Sequence, residues 1–219
     1  MTKLNILYIH GFGSQVDPNG DKQVALRKIA NVSAFAPDYS QGYEKVLADV
    51  EPLLQQADLL IGTSMGGFLV SRLSEATGKP FVAINPVMAP SAILSKYIGS
   101  HLDHYGRPFT LTADTASGYP DFLPSARGMV LLDMADELLD SRATLDALGP
   151  QMTAHTFTGG SHRFSHMEEA LWDSVIAEEA EIDVTAPQRE ELDRRLSAFE
   201  IDQNVGSTWS TVKARILSK

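Results

Sequence analysis

The chain has 219 residues, 43% of them hydrophobic, a net charge of −10 and no cysteine. That apolar content suffices for one substantial core, so a single domain with a short appendage is expected. The acidity argues against binding nucleic acid or anionic membranes, and the missing thiols exclude disulfides, a cysteine nucleophile and thiolate metal sites.

The N-terminus, Met1 to Ile6, enters a strand pattern at once, without the charged, apolar and cleavage regions of a signal peptide. No run is apolar enough to span a membrane, and the expected location is the cytoplasm. Leu4 to Ile9 is continuous and β-prone, which predicts a buried first strand. It ends in His10-Gly11-Phe12-Gly13-Ser14. Glycines at the carboxyl end of a strand let backbone N–H groups turn toward a ligand. The Phe12 N–H is one candidate oxyanion donor; an ordinary glycine loop fits the same residues. His10 is read as fixing this loop, not as a base.

A helix is predicted over Asp21 to Ala30, a short strand over Val32 to Phe35, and a helix over Tyr43 to Gln56 that Pro52 would kink. Then comes Leu59-Leu60-Ile61-Gly62-Thr63-Ser64-Met65-Gly66-Gly67-Phe68. The order is apolar strand, Gly-x-Ser-x-Gly, helix. Such a turn crowds its serine, favours glycine two residues to either side and lifts Oγ clear of the sheet. The pattern alone often marks only a tight turn; the strand before and helix after favour a nucleophile. The Met65 N–H would be the second oxyanion donor. After a helix to about Ala76, Phe81 to Ile84 reads as another buried strand, ending at Asn85-Pro86.

Apolar strands alternating with helices predict an α/β fold, a mainly parallel sheet with helices on both faces. Residues 87–125, rich in proline and glycine, read as a small helical or loop excursion, cap-like, over the carboxyl edge of the sheet. Gly128 to Leu132 is a clean strand running into Asp133-Met134-Ala135-Asp136-Glu137. A carboxylate here would be the third member of a triad. Asp136 fits best, in the loop before a helix starting near Asp140, and Asp133 is its rival. Glu137 and Asp140 are read as helix N-terminal charge and cap. Met152 to Thr158 is the last strand, followed by Gly159-Gly160-Ser161-His162-Arg163-Phe164. His162 is the candidate base, with His155 and His166 structural or exposed.

Ser64, Asp136 and His162 follow the chain order of α/β-hydrolases. Their chemistry would be acyl transfer to water through an acyl-serine, with no metal or organic cofactor required. Tyr8 to Phe12, Gly62 to Gly67, Ile84-Asn85-Pro86, Asp136 to Asp140 and Gly159 to Phe164 together resemble the YqiA-like family of small bacterial α/β-hydrolase esterases. The resemblance runs from about Lys3 to about Glu169. It implies a compact sheet beginning at what larger relatives call the third strand. It also implies hydrolysis of carboxylic esters of short to medium acyl chains, or of thioesters, by Ser64, Asp136 and His162. Phe12 and Met88 would line the substrate. Met88 stands where relatives carry an arginine and Ser141 where they carry an aromatic, and both departures bear on substrate preference.

The hydrolase domain is assigned to residues 1–178 and a helical C-terminal extension to 179–219. Leu171, Trp172, Val175 and Ile176 form a helical stripe that would pack on the sheet. Ala170 to Val175, Glu190 to Leu196 and Trp209 to Arg215 resemble the addiction-module component family of small antitoxin-like proteins. That resemblance implies a protein partner held by residues 180–219. The preferred alternative is a surface helix that packs on its own domain or on a second copy, as a homodimer.

Overall fold

The structure is a computed structural model, and it describes residues 3–150 and 152–171. The expected stripe from Trp172 to Ile176 and the extension 179–219 lie outside the described residues.

Six strands form one sheet in which every pairing is parallel. In chain order the elements are β1 (Asn5–Ile9), α1 (Asp21–Arg27), β2 (Asn31–Phe35), α2 (Tyr43–Leu54), β3 (Leu59–Thr63), α3 (Met65–Thr77) and β4 (Phe81–Ile84). There follow α4 (Pro90–Leu94), β5 (Gly99–Leu102), β6 (Pro108–Leu111), α5 (Ala113–Ser117), β7 (Gly128–Asp133), α6 (Ser141–Leu148) and β8 (Thr153–Phe157). A further helix begins at Met167. The sheet order is β2-β1-β3-β4-β7-β8. The fold is that of a compact α/β-hydrolase.

The apolar strand runs are apolar because both faces are covered. Along β1, Leu7 and Ile9 enter the core shared with α2 and α3, through Val46, Val50, Phe68 and Leu69. Ile6 and Tyr8, on the opposite face, enter the core shared with Ala25 and Leu26 of α1 and with Met167 and Ala170. Each such buried side chain contributes roughly 1.5–3 kcal/mol through burial. Pro52, expected to kink α2, lies in its last turn.

The chain leaves β1 toward β2 on one side, while β3 flanks β1 on the other. Such a reversal opens a crevice at the carboxyl ends of the strands, where α/β folds place ligands. The loops after β1 and β3 therefore emerge side by side.

Residues 87–125 contain α4, α5 and an antiparallel hairpin of β5 and β6. The hairpin was not expected from sequence. Its tip is organised by Asp103. Oδ1 accepts the Tyr105 and Arg107 N–H groups at 2.8 and 2.9 Å, and Oδ2 accepts Arg107 Nε at 2.5 Å. Arg107 Nη2 donates to Ser14 O at 3.0 Å, tying the tip to the loop after β1.

Candidate active site

Ser64 lies between β3 and α3 with φ 59° and ψ −120°. A non-glycine residue held there costs of order 1–3 kcal/mol and persists only where the surroundings impose it. They do. A Cβ on Gly62 would lie 2.1 Å from Gly66 O, and one on Gly66 would lie 2.2 Å from Ile9 O. Only glycine lets β1, β3 and the start of α3 approach this closely. Ser64 N–H donates to Ile84 O at 2.9 Å, and Ser64 O accepts from Phe68 N and Val87 N, both at 3.1 Å.

The loop after β1 runs against this serine. A Cβ on Gly11 would stand 3.1 Å from Ser64 Cβ and 3.5 Å from Ser64 Oγ. Among the described residues, neither the Phe12 N–H nor the Met65 N–H has an acceptor. Met65 opens α3, where first-turn amides have no partner within the helix. The Phe12 ring packs edge-on against Phe109 of β6, centroids 5.2 Å apart, and against Tyr97 at 5.4 Å. The cap hairpin thus rests on the loop.

His10 fixes that loop. Arg27 donates to Gln23 Oε1 at 2.8 Å, so Gln23 Nε2 is the group that donates to His10 Nε2 at 3.1 Å. The ring proton then sits on Nδ1, which donates to Ser14 Oγ at 3.3 Å. Burial, then the Lys22 ammonium, push the His10 pKa down to about 4, against an opposing pull from Asp17. In acid the unfolded chain takes up a proton that the native state refuses. Stability is therefore whole above about pH 6.5 and falls as pH drops toward about 4. His10→Gln is expected to flatten that fall, read as the difference in urea midpoints at pH 7.0 and 4.5. An equal fall in both proteins would refute it.

The histidine loop follows β8. His162 Nδ1 and Asp136 Oδ2 are hydrogen-bonded at 2.8 Å, and the Asp136 side chain is fully buried. Asp136 Oδ1 accepts the Leu138 and Leu139 N–H groups at 2.8 and 2.9 Å. Burial alone would raise the Asp136 pKa; the bonds from His162, Leu139 and Leu138 together hold it below the ordinary carboxylate value.

Asp133, the rival acid, is also buried but points elsewhere. Its Oδ2 accepts Ser161 N–H and its Oδ1 accepts Ala135 N–H, both at 3.0 Å. His166 Nε2 lies 3.7 Å from Asp133 Oδ2 and pairs with Gly159 O at 3.0 Å. Glu137 departs from expectation. Helix α6 begins only at Ser141, capped by Asp140, and Glu137 Oε2 accepts the His162 backbone N–H at 2.9 Å. A helix-end role fails because the turn from Asp133 to Leu139 intervenes.

Ser64, His162, His10 and Phe12 line one cleft of about 820 Å³, with Lys22 and Arg163 on its wall. Asp136 sits behind His162. Met88 is not among the cleft residues; it packs against the core, and its carbonyl accepts Phe122 N–H at 2.8 Å.

The model of an uncharacterised protein family, UPF0227, matches residues 5–177. The chain belongs to this family. It is the YqiA-like family that the motifs resemble. Among its members, a UPF0227 protein of Shewanella sp. (strain ANA-3) is 24% identical over 177 residues, covering 76% of this chain and 94% of its own. One from Yersinia pseudotuberculosis serotype O:1b (strain IP 31758) is 26% identical over 176 residues, with the same coverage. Among solved structures, Est1E from Butyrivibrio proteoclasticus superposes with a TM-score of 0.59 at 15% identity, over 78% of this chain and 85% of that one. A marine microorganism esterase gives 0.50 at 13% identity, over 81% and 95%. These two likenesses are of fold. A second model, the addiction module component, matches residues 169–212, of which 172–212 lie outside the described residues. Among the described residues, no helix is long and apolar enough to cross a membrane.

Proposed function

We propose that the protein is a serine hydrolase of the carboxylesterase type, cleaving esters of short to medium acyl chains, and acyl-CoA thioesters, through an acyl-Ser64 intermediate. The observation that carries this reading is the 2.8 Å bond from buried Asp136 to His162 Nδ1, with the imidazole on the same cleft as Ser64. Asp136 keeps the Nδ1–H tautomer, so that Nε2 is free to accept a proton. Ser64 Oγ attacks the carbonyl carbon as His162 Nε2 takes its proton. The oxyanion falls to the Phe12 and Met65 amides. Each such donor is worth about 3 kcal/mol of barrier. Collapse breaks the bond to the leaving alkoxide or thiolate, which takes the proton from His162. Water, deprotonated by the same imidazole, then releases the acid and restores Ser64.

The α/β-hydrolase fold of this chain and the esterase name of one fold neighbour agree with this reading. A fluorophosphonate probe is expected to label the wild type and not Ser64→Ala. A panel of p-nitrophenyl esters and acyl-CoA thioesters on both proteins then sets acyl length and ester against thioester. Labelling that survives Ser64→Ala would end the reading.

A second reading rests on the model match over residues 169–212: the antitoxin-like tail binds a protein partner. The two separate cleanly, since Ser64→Ala would leave such binding intact.

A further inference from the structure

We propose that Asn85 is a positioning residue that holds the Ser64 turn and the His162 loop in fixed relation; this rests on the serine-hydrolase reading. Asn85 directly follows β4, the strand between β3 and β7. It is 1% exposed and holds φ +41° directly before Pro86. Left-handed backbone is uncommon for residues other than glycine, and asparagine is among those that tolerate it best.

The segment from Ile84 to Val87 grips both partners. On one flank, Ile84 O accepts the Ser64 N–H at 2.9 Å and Val87 N–H donates to Ser64 O at 3.1 Å. On the other, Asn85 Nδ2 donates to Ser161 O at 3.3 Å and to His162 O at 3.2 Å. Asn85 Oδ1 accepts Asp133 N–H at 2.8 Å, and Asn85 N–H donates to Leu131 O at 2.9 Å. A flipped amide would set donor against donor at Asp133 and acceptor against acceptor at the loop, so the orientation is determined.

Side chains outside the loop hold the backbone of Ser161 and His162 at four points. Asn85 takes the carbonyls of Ser161 and His162, Asp133 the Ser161 N–H, and Glu137 the His162 N–H. Asn85 alone among these also belongs to the segment bonded to the Ser64 backbone. No other side chain offers one acceptor and two donors on so short a stem. Aspartate would turn an oxygen toward two carbonyls. Glycine would relieve the backbone and release the loop.

The test uses the full chain and two variants, Asn85→Gly and Asn85→Asp. Sites are counted by fluorophosphonate titration, so that misfolded protein does not enter the rate. For p-nitrophenyl acetate, kcat per titrated site is expected to fall about 10²-fold, the order that a misplacement near 1 Å produces. KM is expected to stay within about 3-fold, since the loss falls on the chemical step. The His162 ring resonances should shift in both variants. A purely structural role would lower the melting temperature and the titrated fraction, leaving kcat per site and the ring signals unmoved; that result overturns the proposal. Should the wild type fail to react with the probe, the hydrolase reading fails instead. The His162 resonances then still decide whether Asn85 sets the loop, unchanged signals refuting it.

Discussion

Ser64→Ala is expected to lower kcat toward p-nitrophenyl acetate by about 10⁶-fold, the scale on which removing a serine nucleophile acts. The residual rate, roughly 10³–10⁴ above water, would come from binding and the amide donors. The fold should not notice. Among the described residues Ser64 Oγ has no hydrogen-bond partner, and alanine meets the same backbone strain at φ 59°. Stability should stay within about 0.5 kcal/mol. Ser64→Gly goes further: it should be as inactive yet about 1 kcal/mol more stable, because glycine accepts positive φ. Stopped assays over hours and urea titrations measure the two quantities. A residual rate above a tenth of wild type would refute Ser64 as the nucleophile.

Asp136→Asn is expected to cost about 10⁴ in kcat, through the tautomer. An amide NH₂ at Oδ2, facing His162 Nδ1, would turn that nitrogen into an acceptor and put the proton on Nε2, where it blocks general-base action. Asp133→Asn should behave differently. Its carboxylate holds the Ser161 and Ala135 amides, not the His162 ring. Its loss should appear mainly in stability. The pH sign keeps the effects apart. The Asp136 pKa is depressed in the native state, so its stability contribution is present above its unfolded value and lost only as pH falls through the native one. Rates compared between pH 6 and 9 therefore report tautomer, not unfolding. Equal losses in the two variants would refute the assignment of Asp136.

The sheet was legible because its inner strands are covered on both sides. Runs such as Ile6 to Ile9 and Gly128 to Leu132 are apolar throughout, and at four or five residues between turn signals they mark buried strands. The turn at Ser64 was legible because close approach admits only glycine at 62 and 66. The hairpin of residues 99–111 was not legible: Ser100, His101 and Leu102 are exposed, so no alternation marks the strands. One side chain, Asp103, organises its turn. Asp133 and Asp136 could not be separated by spacing, since both follow the same apolar run. The strand extends through Asp133 and commits its carboxylate to neighbouring amides. Asp136, in the turn beyond, keeps one oxygen for the imidazole. Glu137 and Asn85 were hidden for another reason. Their partners are backbone atoms of a loop distant in sequence, and main-chain partners leave no residue-type signature.

The Arg107 strut has an engineering consequence. The hairpin tip hangs on Ser14 O, in the same short loop that carries Phe12. A redesigned roof of longer or shorter strands would pull on that loop as well as changing headroom. Grafts that preserve the arginine and its anchoring carbonyl should trade selectivity without rate, whereas grafts that omit it should alter both together.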